Sequence, residues 1–118
     1  MTTPTGAREL AHPAYEEIRL ADVLHALADP MRLRVVCGLA VAGTEVNCSA
    51  VELPVSKSTS THHFRVLRES GVIRQSYRGT AKMNELRRDD LDALFPGLLD
   101  TVLAAAHRQK ARLGPDAG

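Results

Sequence analysis

Tryptophan is missing from this chain of 118 residues, and aromatic rings come only from two tyrosines and two phenylalanines. An interior with so few rings is filled by Leu, Val and Ala, the side chains of packed helices. Two cysteines, Cys37 and Cys48, are too few for a disulfide framework, so a reducing, cytoplasmic setting is expected. No stretch reaches the roughly 18 apolar residues of a membrane span. The start, Met1-Thr2-Thr3-Pro4-Thr5-Gly6, lacks the basic and then apolar segments of a secretory signal. The eight glycines are scattered, so no glycine-rich phosphate loop is present.

What is present fits one ordinary domain. Apolar residues make up 44% and charged residues 25%, too balanced for wholesale disorder. The net charge of +1 points to no partner, but its distribution does. Residues 54–88 carry +6, which leaves −5 for the remainder. A near-neutral protein with one basic segment has a positive face, and such faces commonly meet phosphate.

Residues 1–13, with Pro4, Gly6 and Pro13, read as a flexible arm, and residues 114–118 as a flexible tail; residues 14–113 form the domain. Ile18, Ala21, Leu24 and Leu27/Ala28 recur at helical steps and predict a first helix over Ala14–Ala28. Asp29 is a good N-cap and Pro30 a good first helical residue, so a second helix restarts at once. Its apolar stripe is Leu33, Val36, Cys37 and Ala40, with Cys37 as a core residue, and Gly43 marks its end. A short helix is expected around Ser49–Leu53 before Pro54. Ser56 then caps a helix from Lys57 to about Ser70, with Phe64 and Leu67 facing inward and Gly71 ending it. A short helix, a turn and a longer polar helix make a helix-turn-helix.

After Gly71 the period changes. Segments 72–77 and 82–86 flank Arg78-Gly79-Thr80-Ala81 and predict a two-stranded β-hairpin. Helical spacing returns after Arg88, with Asp89 and Asp90 suited to a helix start. Leu91, Leu94/Phe95, Leu98/Leu99, Val102/Leu103 and Ala106 follow, and Pro96 kinks or splits the segment.

On the Ser56 helix, Ser58, Thr61, His62, Arg65 and Arg68/Glu69 share one face and are nearly all hydrogen-bond donors. Such a helix fits the major groove, where short donors reach base edges or phosphates. Ser56, Lys57 and Thr59 complete the candidate contact set. In the hairpin, Arg74, Tyr77, Arg78 and Lys82 are read as surrounding the Gly79 tip, suited to minor-groove or backbone contact. The same Ser, Thr and His residues make no catalytic centre, because no carboxylate orients them and no oxyanion loop accompanies them. An enzyme is not expected.

Two stretches carry a family resemblance. Leu27-Ala28-Asp29-Pro30-Met31-Arg32-Leu33-Arg34 resembles the second-helix start of the ArsR/SmtB family of bacterial winged-helix regulators. Residues 56–73, Ser-Lys-Ser-Thr-Ser-Thr-His-His-Phe-Arg-Val-Leu-Arg-Glu-Ser-Gly-Val-Ile, resemble that family's recognition helix and the start of its wing. Ser60 departs from it, standing where a small apolar residue is usual. The resemblance spans about residues 20–103 and implies a mainly α winged helix-turn-helix of about five helices plus a two-stranded wing. It also implies a regulator, expected to be a repressor, that binds duplex DNA at an inverted repeat as a homodimer. A protein-interaction module with a basic face is the alternative reading.

The segment Leu91–Ala106 is apolar around much of its circumference, more than one small core covers. The first and last helices are therefore expected to pair two copies through Ile18, Leu24, Leu98, Leu99 and Val102, as the resemblance also implies. Many relatives sense metals. The positions matching one familiar site, residues 45–51, hold only the lone thiol Cys48, and those matching the other are Arg88, Asp90, Thr101 and Ala104. Neither set suits a soft metal. The remaining candidates for nickel or zinc are Asp22 and His25 on the first helix and His107 on the last, meeting across a dimer. No firm cofactor is expected.

Overall fold

In the computed structural model, which describes residues 8 to 114, local signals set most element ends. In order the chain forms β1 (Arg8–Glu9), a 3-10 turn (Tyr15–Glu17), α1 (Leu20–Leu27), α2 (Pro30–Ala42), β2 (Val46–Asn47) and a second 3-10 turn (Cys48–Ala50). Then come α3 (Lys57–Glu69), β3 (Ile73–Arg78), β4 (Ala81–Leu86), α4 (Arg88–Leu94) and α5 (Leu98–Leu113). The fold is the expected mainly helical winged helix.

Asp29 caps α2 by accepting hydrogen bonds from the backbone N–H groups of Met31 and Arg32 at 2.9 and 3.1 Å. Gly43 ends that helix at φ 66°, a left-handed position open to glycine. Ser56 caps α3, its Oγ accepting from the Thr59 N–H at 3.2 Å. β3 and β4 pair antiparallel with Arg78 opposite Ala81, leaving Gly79-Thr80 as a two-residue loop. Gly79 alone there has positive φ, 62°, the pattern of a type II′ hairpin.

Several boundaries differ from the sequence reading. The first helix is not continuous over Ala14–Ala28. Ile18 and Arg19 are extended, and Ile18 plugs into the core beneath Gly71, so a tertiary anchor overrides helical spacing. The expected helix at Ser49–Leu53 is instead the 3-10 turn Cys48–Ala50, held by Asn47 Oδ1, which accepts from the Ser49 N–H at 3.0 Å. Pro96 splits the last segment into α4 and α5, with Gly97 at φ 80° between them.

The two-stranded wing is the centre of a four-stranded sheet ordered β1-β3-β4-β2. The arm read as flexible is tied down from residue 8 to 13, while residues 1–7 of that arm and 115–118 of the tail lie outside the described residues. β1 pairs with β3, Leu10 N–H donates to Gln75 O at 3.2 Å, and Gln75 N–H donates to His12 Nε2 at 2.8 Å. Arg87 Nη1 adds a bond to Pro13 O at 2.8 Å. The arm thus satisfies backbone groups that an open β3 edge leaves exposed.

The core joins Val23, Ala26 and Leu27 of α1, Val35, Val36 and Leu39 of α2, and Phe64 and Leu67 of α3 to Val72, Ile73, Leu91 and Leu99. α2 touches α1, α3, β4 and α5, so its burial runs round more than the stripe expected. Leu33, Cys37 and Ala40 are half-buried, whereas Arg32, Val35, Val36 and Leu39 are fully inside. Burial still pushes the Cys37 thiol up, with Lys110 opposing it. Two residues assigned to a dimer surface, Ile18 and Leu99, belong to this core instead.

Candidate nucleic-acid interface

The polar helix α3 is held by its inner face. Phe64 and Leu67 pack in the core, and His63 is buried beside them. His63 Nδ1 lies 3.3 Å from Arg32 Nη1 and 3.8 Å from Asp29 Oδ2. Arg32 in turn donates Nε to Ala26 O at 2.8 Å and Nη2 to His25 O at 3.2 Å, so it closes the C-terminal carbonyls of α1 while steadying α3. Burial pushes the Asp29 carboxyl up, but the backbone N–H groups of Arg32 and Met31, with the His63 and Arg32 side chains, outweigh it and hold the group below its usual range. No sequence pattern singled out Arg32, although its spacing from the Asp29-Pro30 cap was an available signal.

The opposite face of α3 carries Ser58, Thr61, His62 and Arg65, all exposed. With Lys57 they line one shallow groove, and Arg65 Nη2 sits 3.3 Å from His62 Nδ1. No acid interrupts this helix before Glu69. Ser56 and Thr59 are exposed, but their hydroxyls are engaged with each other at 2.9 Å within the cap. Arg68 departs from the expected face: its Nη1 donates to Gln75 Oε1 of β3 at 2.7 Å, turning the guanidinium toward the sheet.

In the wing, Lys82 Nζ stands 6.0 Å from the centroid of the Tyr77 ring, its cross-strand partner. A cleft of about 540 Å³ runs between wing and helix, with Lys57 and Thr61 on one wall and Thr80 and Lys82 on the other. Arg74 is not at the tip. It lies about 13 Å down the strand from Arg78 by extended-chain spacing, opposite Glu85, with Nη2 3.9 Å from Asp90 of α4. Arg78 is at the tip but is gripped by Glu45, Nε to Oε1 at 2.6 Å and Nη2 to Oε2 at 3.3 Å. This bond raises the Arg78 pKa above its ordinary value.

Glu45 therefore competes with any anion offered to Arg78. Glu45→Gln is expected to tighten binding to every duplex by a few fold and to steepen the salt dependence by about one phosphate contact. Titration of labelled duplexes at several salt concentrations checks it; unchanged affinity and slope would mean Arg78 stays away from phosphate.

Asp22, His25 and His107 are exposed on α1 and α5, and among the described residues no three His, Cys, Asp or Glu side chains form a group able to hold a metal.

A capped polar helix with an exposed donor face, preceded by a turn and followed by a basic hairpin, defines a winged helix-turn-helix protein. No family model matches the chain. It is 34% identical over 89 residues to the uncharacterised HTH-type transcriptional regulator YceK of Bacillus subtilis strain 168, covering 74% of this chain and 88% of that protein. A possible transcriptional regulator for arsenical resistance matches at 29% identity and TM-score 0.53, over 71% of this chain and 95% of that one. The fold also matches the transcriptional repressor BigR from Xylella fastidiosa at 20% identity and TM-score 0.55, over 79% and 84% of the two chains. The chain belongs to the HTH-type transcriptional regulators, and its fold is shared by an ArsR family transcriptional regulator at 23% identity and TM-score 0.54, over 75% of this chain and 92% of that one. Among the described residues no helix is long and apolar enough to cross a membrane.

Proposed function

We propose that this regulator binds duplex DNA sequence-specifically, as a homodimer on an inverted repeat, and represses by occupying the promoter. The carrying observation is the exposed donor face Ser58, Thr61, His62 and Arg65 on a helix whose other face is locked into the core. Those four side chains read bases, and Lys57 and Lys82 hold phosphate, with Arg78 held back from it by Glu45. Selection of bound duplexes from a random pool tests the reading: an inverted repeat supports it, and enrichment of no sequence favours a protein partner for the basic face.

Thr61→Ala or His62→Ala is expected to weaken binding to the selected duplex by about 1–3 kcal/mol per lost base contact, with little change on scrambled DNA. Equal losses on both duplexes would assign the residue to phosphate. No loss on either would put the reading face elsewhere.

For the dimer, the supporting surface is α1 with α5. Leu20 and Leu24 are exposed on α1, Leu98 and Val102 are half-buried on α5, and Leu113 is exposed at its end. Leu24→Glu is expected to weaken self-association by about a hundredfold, because a charge enters an apolar contact, while leaving the protomer folded. Leu99→Glu, in the core, is expected to unfold it. Sedimentation alongside circular dichroism separates the two, and a wild type that stays monomeric at micromolar concentration overturns the dimer. A nickel or zinc site from Asp22, His25 and His107 needs both copies, so calorimetric binding of either metal that survives Leu24→Glu would exclude it.

A further inference from the structure

The inner face of the wing holds amides where strand alternation calls for apolar side chains. Gln75 and Asn84 face each other across β3 and β4, and both are fully buried. Gln75 Nε2 donates to Asn84 Oδ1 at 2.7 Å, and Gln75 Oε1 accepts from Arg68 Nη1 at 2.7 Å. Asn84 Nδ2 continues the chain to Val46 O at 3.3 Å and to Cys48 Sγ at 2.9 Å. The run starts in the last turn of α3, crosses both wing strands and ends in the segment that leads into the helix-turn-helix.

Burying two amides is costly unless each finds its partners, and two apolar side chains fill such a space at no polar cost. What the connected amides add is direction: hydrogen bonds fix one relative placement of the groups they join, whereas apolar contacts slide. Here the joined groups are α3 and the wing, whose outer surfaces form the two walls of the cleft between Lys57 and Lys82.

We propose that the buried chain Arg68–Gln75–Asn84 positions the wing on the recognition helix, so that both engage one duplex in register. The proposal rests on the DNA-binding reading, and the three side chains act on DNA only through the elements they join. It also assigns Arg68 a role that differs from the base or phosphate contact expected of it.

The test is the pair of variants Gln75→Leu/Asn84→Leu, which removes both buried amides together, and Arg68→Met, which opens the chain at its half-exposed end. Hydrogen exchange of the wing amides is expected to accelerate about tenfold relative to α3 in both variants, and affinity for the selected duplex to fall about tenfold. Lys82→Ala is expected to cost less affinity in either background than in the wild type, a non-additivity that a stability defect alone does not produce. Folded variants with wild-type wing exchange, wild-type affinity and an undiminished Lys82→Ala effect would overturn the proposal. If the double variant does not fold, Arg68→Met carries the same three readouts. Should the wild type prefer no duplex, the DNA reading falls, and wing exchange still decides whether the chain positions the wing.

Discussion

Arg32→Ala is expected to remove about 2–5 kcal/mol of folding stability through the loss of two charge-assisted hydrogen bonds. Ala26 O loses its side-chain donor, while His25 O keeps the Ala28 N–H. The guanidinium is buried and bonded to Ala26 O and His25 O, with His63 beside it. Alanine withdraws the guanidinium from the C-terminal end of α1 and from His63 on the inner face of α3 at once. A domain this small has only about 5–15 kcal/mol in total, so the variant is marginal. Arg32→Lys is expected to recover only part of the loss, because an ammonium lacks the fork that reaches two carbonyls and the imidazole together. Urea denaturation checks both: the midpoint falls and the slope stays constant if the effect is on the native state. A loss below about 1 kcal/mol for the alanine variant would mean that water replaces the guanidinium without cost.

Gly71→Ala is the second large effect, expected at about 2–4 kcal/mol from a left-handed backbone penalty and overpacking combined. Gly71 has φ 89°, and a Cβ built there lies 2.6 Å from Ile18 Cγ1 and 2.8 Å from Ile18 Cδ1. Ile18 is itself held in the core, so the contact has little room to relax. Gly79→Ala is the control. Its φ is 62° but nothing lies within 4 Å, so only the backbone penalty of about 1–2 kcal/mol applies. Thermal unfolding of both variants, with Gly71→Ala repeated in an Ile18→Ala background, separates the contributions. If Gly71→Ala costs no more than Gly79→Ala, the packing of Ile18 under this turn yields without cost.

The elements that read clearly in the sequence are those whose signals are local. Asp29-Pro30, Ser56, Gly43 and the Gly79 turn act within four residues of themselves, and their hydrogen bonds form as spacing predicts. Phe64 and Leu67 fall on the core side of α3 for the same reason, since one helical period relates them to the exposed donors. The wing was legible as a hairpin, although its alternation was weak. The structure supplies the cause: Gln75 and Asn84 are buried amides, which a hydrophobic pattern registers as surface.

The rest was set by partners distant in sequence. Arg78 and Glu45 are 33 residues apart, and His12 and Gln75 are 63 apart, so no window contains either pair. Arg68 lies on the helical face that carries the other donors, yet its long side chain has the reach to bend back to Gln75. Leu99 and Ile18 are as apolar as Leu24, and periodicity does not say whether an apolar side chain meets its own core or a second copy. By itself the sequence determined where α2 and α3 start and stop, which side of α3 is polar, and the family to which the chain belongs. Only the tertiary structure decided which charges are free to meet an anion and which are already held. Capping and amphipathicity are short-range, whereas an ion pair or a buried amide depends on what the folded chain brings within about 3 Å of it.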